Sequence, residues 1–307
     1  MLVISAKSGQ LGNRLLLFAN YIAFGIENNL MIINPAFEEY AEFFQSTAKD
    51  LFCCYPPPKI SINSNNYMRS KYYQLNCYLA QNGFFKSLEI TREKPFNWSD
   101  NQRLEEIKTG WITFMKGWLF RDGWFVNDTQ MLRKYAQEIR QYFTPLKKYT
   151  TNVFKLISSL RKDADIIIGV HIRQGDYAQH QKGRYFYHTE QYVKVMGSVK
   201  QLFNGQKIKF LVCSNAEHDS SLFKDFDYYF GNNHIIEDMY ALAECDYIIG
   251  PPSSYTRWAS FYGDKPLYAI VDINKEPTLK DFVHYYEWKG VFYDDEDWSK
   301  SFWEWLN

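Results

Sequence analysis

The chain has 307 residues, enough for two domains of ordinary size with a substantial core. Its 35 Lys and Arg residues balance its 35 Asp and Glu residues, so no net charge favours binding to nucleic acid. No run of 18 apolar residues is present, which argues against a transmembrane helix. The five cysteines form no CxxC pair, and their odd number fits a reduced, cytoplasmic protein.

The first half of the chain predicts the beginning of an α/β domain. Residues 1–5 and 31–34 read as strands, and 11–27 as a helix with apolar residues at helical spacing. Residues 53–130 include three consecutive prolines and segments rich in Asn and Tyr, so we expect loops and helices that shape an acceptor site. A helix is predicted over 132–143, and a domain boundary near 145–160.

The second half alternates apolar runs with helical patterns. Strands are predicted at 166–172, 208–214, 233–236, 247–250 and 267–271, and helices at 190–202, 219–226, 239–245 and 255–262. This alternation predicts a doubly wound parallel sheet. Because ligands bind beyond the carboxyl ends of the strands in such sheets, the residues that follow each strand are the candidates for function.

The segment GVHIRQGDY, residues 169–177, ends the predicted strand 166–172. Alternation along the strand places His171 and Arg173 on one face, and a glycine turn then leads to Asp176. A guanidinium group is a planar fork that grips phosphate oxygens. The alternative is a surface ion pair of Arg173 with Asp176 beside a core histidine. We favour the functional interpretation, since a charge pair that ends a buried run is costly without a purpose.

Two further loops lead into helices, where backbone N–H groups and the helix dipole suit an anion. SGQLGNRL, residues 8–15, places Gly12 in such a loop, although a simple turn would look the same. GPPSSYTRWAS, residues 250–260, places Ser253 and Ser254 at a helix start, where they would hold phosphate or cap the helix.

Two polar segments remain. CSNAEHD, residues 213–219, follows a strand and offers Asn215 and Glu217 to a base or ribose, with helix capping as the alternative. DDEDW, residues 294–298, contains an acidic pair of the kind that binds Mn²⁺ or Mg²⁺. It precedes a predicted terminal helix, and carboxylates at a helix start are favoured by the dipole, so we interpret it as a cap.

These motifs resemble those of a known family. HIRQGDY resembles the HxRRGDY motif of the α-1,2-fucosyltransferases, glycosyltransferase family 11, which is related to the α-1,6- and protein O-fucosyltransferases. GQLGNRL resembles the GxxGN loop of that superfamily, and residues 237–259 resemble its last motif. The chain departs from the pattern at Gln174, Gln10 and Arg257, where the family has a second Arg, a Gly and an aromatic residue. The acceptor is therefore left open.

The resemblance implies an α/β fold of the GT-B type, with two Rossmann-like domains facing a cleft. Residues 1–150 would form an acceptor-side domain, 151–285 a GDP-sugar-binding domain, and 286–307 a C-terminal helix that packs back on the first domain. The implied reaction is inverting, needs no metal or cofactor, and moves fucose from GDP-L-fucose to a glycan hydroxyl, with O2 of galactose the expected position.

The resemblance also implies roles for individual residues. Arg173 would hold the β-phosphate and His171 would lie by the nucleotide. Ser254 and its neighbours, Ser253 and Tyr255 among them, would contact the pyrophosphate, and Asn13 would reach the reaction centre from the N-terminal domain. From its chemistry rather than the resemblance, the carboxylate of Asp176 would take the acceptor proton or only brace Arg173. In the second case a water oriented by Asn13, or the phosphate itself, would take the proton.

The expected partners are a GDP-sugar and an oligosaccharide or lipid-linked glycan, with no nucleic acid. We expect a bacterial cytoplasmic enzyme of surface polysaccharide synthesis, with at most a peripheral contact to the inner membrane. The other readings are the same scaffold with a different GDP-sugar or acceptor, and a non-catalytic carbohydrate-binding protein.

Overall fold

The computed structural model describes residues 1–7, 9–60, 62–83, 85–90, 105, 107–108, 110, 112–117, 120–121, 124–125, 129–232 and 234–287. The chain forms two compact units, Met1–Leu146 and Lys147–Asn307. The acidic run 294–298 and the helix predicted at the end of the chain lie outside the described residues, as does Ser8.

The first unit is built on a five-stranded sheet of order β3-β2-β1-β5-β4, in which only β3 is antiparallel to its neighbour. Its strands are β1 (Leu2–Ile4), β2 (Ile32–Ile33), β3 (Cys54–Tyr55), β4 (Lys86–Ile90) and β5 (Thr113–Gly117), and its helices are α1 (Leu11–Asn28), α2 (Asn66–Gln81), α3 (Thr129–Lys134) and α4 (Ala136–Tyr142). A short antiparallel pair joins β6 (Phe120–Arg121) to β7 (Trp124–Phe125).

Helix α1 is buried over most of its surface, because Leu15, Phe18 and Ile22 fall at helical spacing and the intervening positions are also apolar. Phe18 makes edge contacts with the rings of Phe37 and Phe143 at centroid distances of 5.5 Å each. This aromatic core fixes α1, and with it the loop that follows β1.

The expectation of loops and helices across 53–130 agrees with α2 but omits the strands of that region. That region contains β4 and β5, and β5 pairs with both β1 and β4 inside the sheet. The hydrophobic pattern did not predict these strands, because a short, mostly apolar run such as Ile112–Met115 does not distinguish a buried strand from other buried structure. The helix predicted over 132–143 is divided at Tyr135 into α3 and α4.

The second unit has an entirely parallel five-stranded sheet of order β10-β9-β8-β11-β12. Its strands are β8 (Ile166–Ile172), β9 (Ile208–Ser214), β10 (Tyr228–Phe230), β11 (Tyr247–Gly250) and β12 (Leu267–Ala269), and its helices are α5 (Lys147–Leu160), α6 (Thr189–Leu202), α7 (Ile235–Glu244) and α8 (Ser254–Gly263). The predicted α/β class is confirmed. All seven residues of β8 are buried, as expected for the central strand of such a sheet.

Two predicted elements of this unit were wrong. The strand predicted at 233–236 is instead the start of α7, whose N-cap is His234; its ring nitrogen accepts from the backbone N–H groups of Ile236 and Glu237 at 3.3 Å. The helix predicted at 219–226 is a single 3₁₀ turn, Ser220–Phe223, capped by Asp219. In the described part of the chain, no helix combines the length and apolar character needed to span a bilayer.

Candidate active site

The carboxyl end of the central strand β8 carries a buried histidine. His171 is 5% exposed, and its Nδ1 has no hydrogen-bond partner. Its ring stacks on that of Tyr255 at a centroid distance of 4.8 Å. Burial, with a smaller contribution from the charge of Arg173, lowers the pKa of His171 to about 3. The ring is therefore neutral at physiological pH, and its Nδ1 is an unsatisfied polar atom suited to a polar ligand group.

Arg173 follows two residues later, where the chain leaves the sheet. Its Nη2 donates to Oδ2 of Asp176 at 2.8 Å, and its guanidinium lies 5.4 Å from the ring centre of Tyr177. The ion pair raised as the alternative from sequence is thus present. It does not exclude a phosphate role, because a guanidinium group has five N–H donors and this ion pair uses one side of the fork.

The turn between β11 and α8 lies against the same strand end. A Cβ atom added to Gly250 would lie 3.2 Å from Cβ of His171 and 3.0 Å from Cγ2 of Thr256, so the two segments approach closely at this glycine. Tyr177 donates its hydroxyl to the carbonyl of Pro252 at 2.8 Å. The segment that carries His171 and Arg173 therefore meets the N-terminus of α8, as the sequence predicted for the carboxyl edge of the sheet.

The serines at this helix start have the capping geometry. Ser253 is the N-cap of α8, and its Oγ accepts from the backbone N–H of Tyr255 at 3.2 Å. Ser254 is the first residue of the helix. The cap orders the turn, and the backbone N–H groups of a first helical turn are donors that suit an anion.

Asn215 has a different contact from the one predicted. Its Oδ1 accepts from the backbone N–H of Gln174 at 2.9 Å, and its Nδ2 donates to the carbonyl of Gln174 at 3.1 Å. This pair of bonds, which we call the amide clamp, holds the turn between Arg173 and Asp176. Glu217, two residues further along, is exposed.

Gln174 is anchored through its side chain as well. Its Nε2 donates to the carbonyl of Tyr187 at 3.2 Å and lies 3.4 Å from Oγ1 of Thr189. Thr189 in turn is hydrogen-bonded to His218 at 2.9 Å, and His218 to Ser214 at 2.6 Å. Sequence reasoning missed this network, because its members come from three separate elements and no spacing relates them. Gln174 replaces the charge of an Arg with a structural anchor.

A buried carboxylate lies at the N-terminus of the neighbouring helix α7. Asp238 is 5% exposed, and a Cβ atom on Gly231 would lie 2.5 Å from its Oδ1. Tyr255 connects the two helix starts, since its hydroxyl donates to the carbonyl of Ile235 at 2.9 Å. The sequence analysis gave Asp238 no role; a charged residue in the first turn of an apolar helix was the available signal.

The second candidate loop belongs to the first unit, at the carboxyl end of β1. Gly9 has a φ of 55°, and a Cβ atom there would lie 2.2 Å from Nδ2 of Asn13. Arg14 fixes the loop, because its Nε donates to the carbonyl of Gly9 at 3.1 Å and its Nη1 to that of Ala36 at 3.0 Å. Gly12 and Asn13 lie in the first turn of α1, with Asn13 folded over Gly9.

Comparison with known proteins relates this chain to one family of glycosyltransferases. The model of glycosyl transferase family 11 matches residues 74–291, which is more than half of the chain. A search of curated protein sequences found no significant match.

Solved structures of fucosyltransferases share the fold. The structure of an Arabidopsis thaliana FUT1 mutant in complex with GDP has 13% identity and a TM-score of 0.56, over 88% of this chain and 70% of that one. A structure of fucosyltransferase NodZ from Bradyrhizobium has 14% identity and a TM-score of 0.51, over 88% and 94%. NodZ α-1,6-fucosyltransferase soaked with GDP-fucose has 14% identity and a TM-score of 0.50, over 92% and 97%. At these identities the likeness concerns the fold.

Proposed function

This chain belongs to glycosyltransferase family 11, and from that premise we propose that it moves fucose from GDP-L-fucose to a glycan hydroxyl, with inversion and without a metal ion. The observation that carries the proposal is the convergence of His171 and Arg173 with the N-terminus of α8. A cation and a helix N-terminus together suit a diphosphate. Structural relatives were solved with GDP or GDP-fucose, which supports the choice of donor.

The energetic problem in this reaction is the departure of GDP. Negative charge grows on the β-phosphate as the bond to the sugar breaks, and fixed donors aimed at that charge lower the barrier. We assign this role to Arg173, assisted by the N–H groups at the start of α8, which the Ser253 cap orders and where Ser254 is the first helical residue. The amide clamp and the Gln174 anchor hold Arg173 in place before the substrate arrives, so little reorganisation is needed during the reaction.

His171 is assigned to the nucleotide. It is neutral because of its burial, so it contributes a hydrogen bond rather than a charge. Its buried Nδ1 has no hydrogen-bond partner, and the stacked ring of Tyr255 fixes the plane of the imidazole. Glu217 is exposed on the loop after β9, where we assign it to the base or ribose as the sequence suggested.

The acceptor hydroxyl must lose a proton as it attacks the sugar. Asp176 is a carboxylate with an exposed side chain, which suits a base, but its 2.8 Å bond to Arg173 suits a brace. Changing Asp176 to Asn separates the two roles. Loss of a base lowers kcat about 10²–10⁴-fold at unchanged donor affinity, and loss of a brace weakens GDP binding as well. Asn13 of the first unit is assigned to the reaction centre on the strength of the GQLGNRL motif.

The proposal is tested by turnover. Purified protein is incubated with GDP-fucose and a galactose-terminated oligosaccharide in EDTA, and the product is identified by mass and by its NMR linkage signals. We expect a fucosylated product and release of GDP. A second arm offers other GDP-sugars in a thermal-shift assay, because only a true ligand raises the unfolding temperature. Absence of both GDP-fucose binding and turnover would refute the proposal.

A further inference from the structure

Exposed apolar side chains are concentrated in one part of the first unit. Of the twelve large apolar residues that are exposed in the described chain, seven fall between positions 60 and 85. They are Ile60, Ile62, Tyr67, Met68, Leu75, Tyr78 and Phe85. Single exposed apolar residues need no explanation, whereas exposed apolar residues that share one face form a patch of the kind that marks an interaction site.

Helix α2 organises this concentration into one face. Tyr67, Lys71, Leu75 and Tyr78 recur at helical spacing, and the three apolar members are 70%, 52% and 56% exposed. We call these four residues the α2 face. The opposite side of the helix is buried through Arg69, Asn76 and Ala80. The helix is already formed in the free protein, since the side chain of Asn65 caps its first turn.

The charge of the chain around α2 indicates which kind of partner binds the α2 face. The whole chain carries equal numbers of cationic and anionic side chains, yet residues 51–88 contain no Asp or Glu. They do contain three exposed cations, Lys59, Lys71 and Lys86, and Lys71 lies 5.7 Å from the ring centre of Tyr67. An exposed face that combines Tyr and Leu with Lys, in a stretch of chain without acidic residues, is complementary to an anionic lipid surface.

We propose that the α2 face, together with the exposed lysines Lys59, Lys71 and Lys86 of the same stretch of chain, binds the protein to the surface of an anionic lipid bilayer. The aromatic and aliphatic side chains enter the boundary between headgroups and acyl chains, and the lysines pair with lipid phosphates. This contact uses none of the residues assigned to the donor.

The experiment measures sedimentation of the purified protein with vesicles. One set contains phosphatidylcholine alone and the other equal parts of phosphatidylcholine and phosphatidylglycerol. We expect binding to the anionic vesicles that weakens as salt is raised, since the screening length falls from about 10 Å at 0.1 M to about 3 Å at 1 M. Replacing one of the three lysines by Gln is expected to weaken binding about fivefold.

A matched pair of variants tests the location. The first replaces Tyr67, Leu75 and Tyr78 by Ser, and is expected to abolish binding. The control changes Leu279 to Ser and Lys280 to Gln, an exposed apolar and cationic pair in the second unit, and is expected to bind like the parent. An unchanged circular dichroism spectrum and unfolding temperature confirm that each variant is folded. The lysine variants, which alter only exposed side chains, keep the test decisive if the triple Ser variant fails to fold.

Three results with vesicles would overturn the proposal, and a fourth comes from light scattering. The three are equal binding to neutral and anionic vesicles, absence of binding to either, and equal loss in the control variant. Light scattering is run in parallel. A concentration-dependent dimer that the triple Ser variant converts to monomer would show that a second copy of the chain covers the α2 face, and the lipid proposal would then be wrong.

Discussion

The Gly9 loop allows a sharp test of Asn13. Changing Gly9 to Ala has two separable costs. The first is conformational: at a φ of 55°, a residue with a Cβ atom loses about 1–2 kcal/mol. The second is steric, because the new Cβ would lie 2.2 Å from Nδ2 of Asn13, so that side chain must leave its position. The first cost affects stability and the second affects the group assigned to the reaction.

Gly83 provides the matched control. It has a φ of 68°, but a Cβ atom there meets nothing within 4 Å. Both variants are therefore expected to lose about 1–2 kcal/mol of stability, seen as a fall of about 3–8 °C in the unfolding temperature. Only Gly9→Ala is expected to lower kcat/KM, by up to about 10²-fold, since displacement of a positioned group by about 1 Å has effects of that size.

The assay is GDP release from GDP-fucose in the presence of acceptor, with thermal unfolding measured on the same samples. In an Asn13→Ala background, Gly9→Ala is expected to cost little further activity, because the displaced amide is already gone. Equal turnover of Gly9→Ala and Gly83→Ala would refute the assignment of Asn13 to the reaction centre. Additive losses in the double variant would do the same.

Three further predictions concern the second unit. Asn215→Ala removes both bonds of the amide clamp and is expected to lower kcat about tenfold and the free energy of unfolding by about 1 kcal/mol. The control Asn274→Ala, also on an exposed loop, should leave both quantities unchanged. Steady-state kinetics and urea unfolding measure the two effects. Tyr177→Phe removes a 2.8 Å hydrogen bond at the turn before α8 and should weaken GDP binding, as measured by calorimetry. Unchanged GDP affinity would argue against a role for that bond in ordering the site. The third is a pH effect. The pKa of His171 is about 3 in the folded protein and 6.5 in the unfolded chain, so the unfolded state binds more protons between these two pH values. The free energy of unfolding therefore falls as pH drops from 6.5 to about 3. His171→Phe keeps a stacked ring without the titration, so its unfolding temperature should vary less with pH; an identical pH profile would contradict the assignment.

The strands and candidate site of the second unit were largely predictable, because the candidate residues come directly after the strands in the sequence. The apolar run of β8 and the strands at 208–214 and 247–250 were identified with their observed bounds, since continuous apolar runs between turn residues are typical of buried parallel strands. The motif residues that follow them therefore fell at one edge of the sheet. The strand proposed at 233–236 failed because Ile235 and Ile236 look like a strand in isolation, whereas they open the helix that His234 caps.

The first-unit strand β5 and the contacts within the candidate site could not be predicted from the sequence, for physical reasons. Strand β5 lies in the sheet through hydrogen bonds to β1 and β4, and long-range pairing leaves little mark on five residues of local sequence. The amide clamp has the same origin, because the turn at Gln174 and the loop at Asn215 are 41 positions apart. The ring stack of His171 on Tyr255 likewise joins separate elements, so the motifs identified the participants but not their contacts.

The central claim is that Arg173 neutralises the terminal phosphate of GDP without a metal ion. Calorimetry in EDTA with GDP and GMP, on the parent protein and on Arg173→Ala, tests it most directly. We predict that the parent binds GDP at least about tenfold more tightly than GMP, and that the substitution removes this preference while leaving GMP affinity unchanged. Equal GDP affinity in both proteins, or binding that requires added Mn²⁺, would contradict the account.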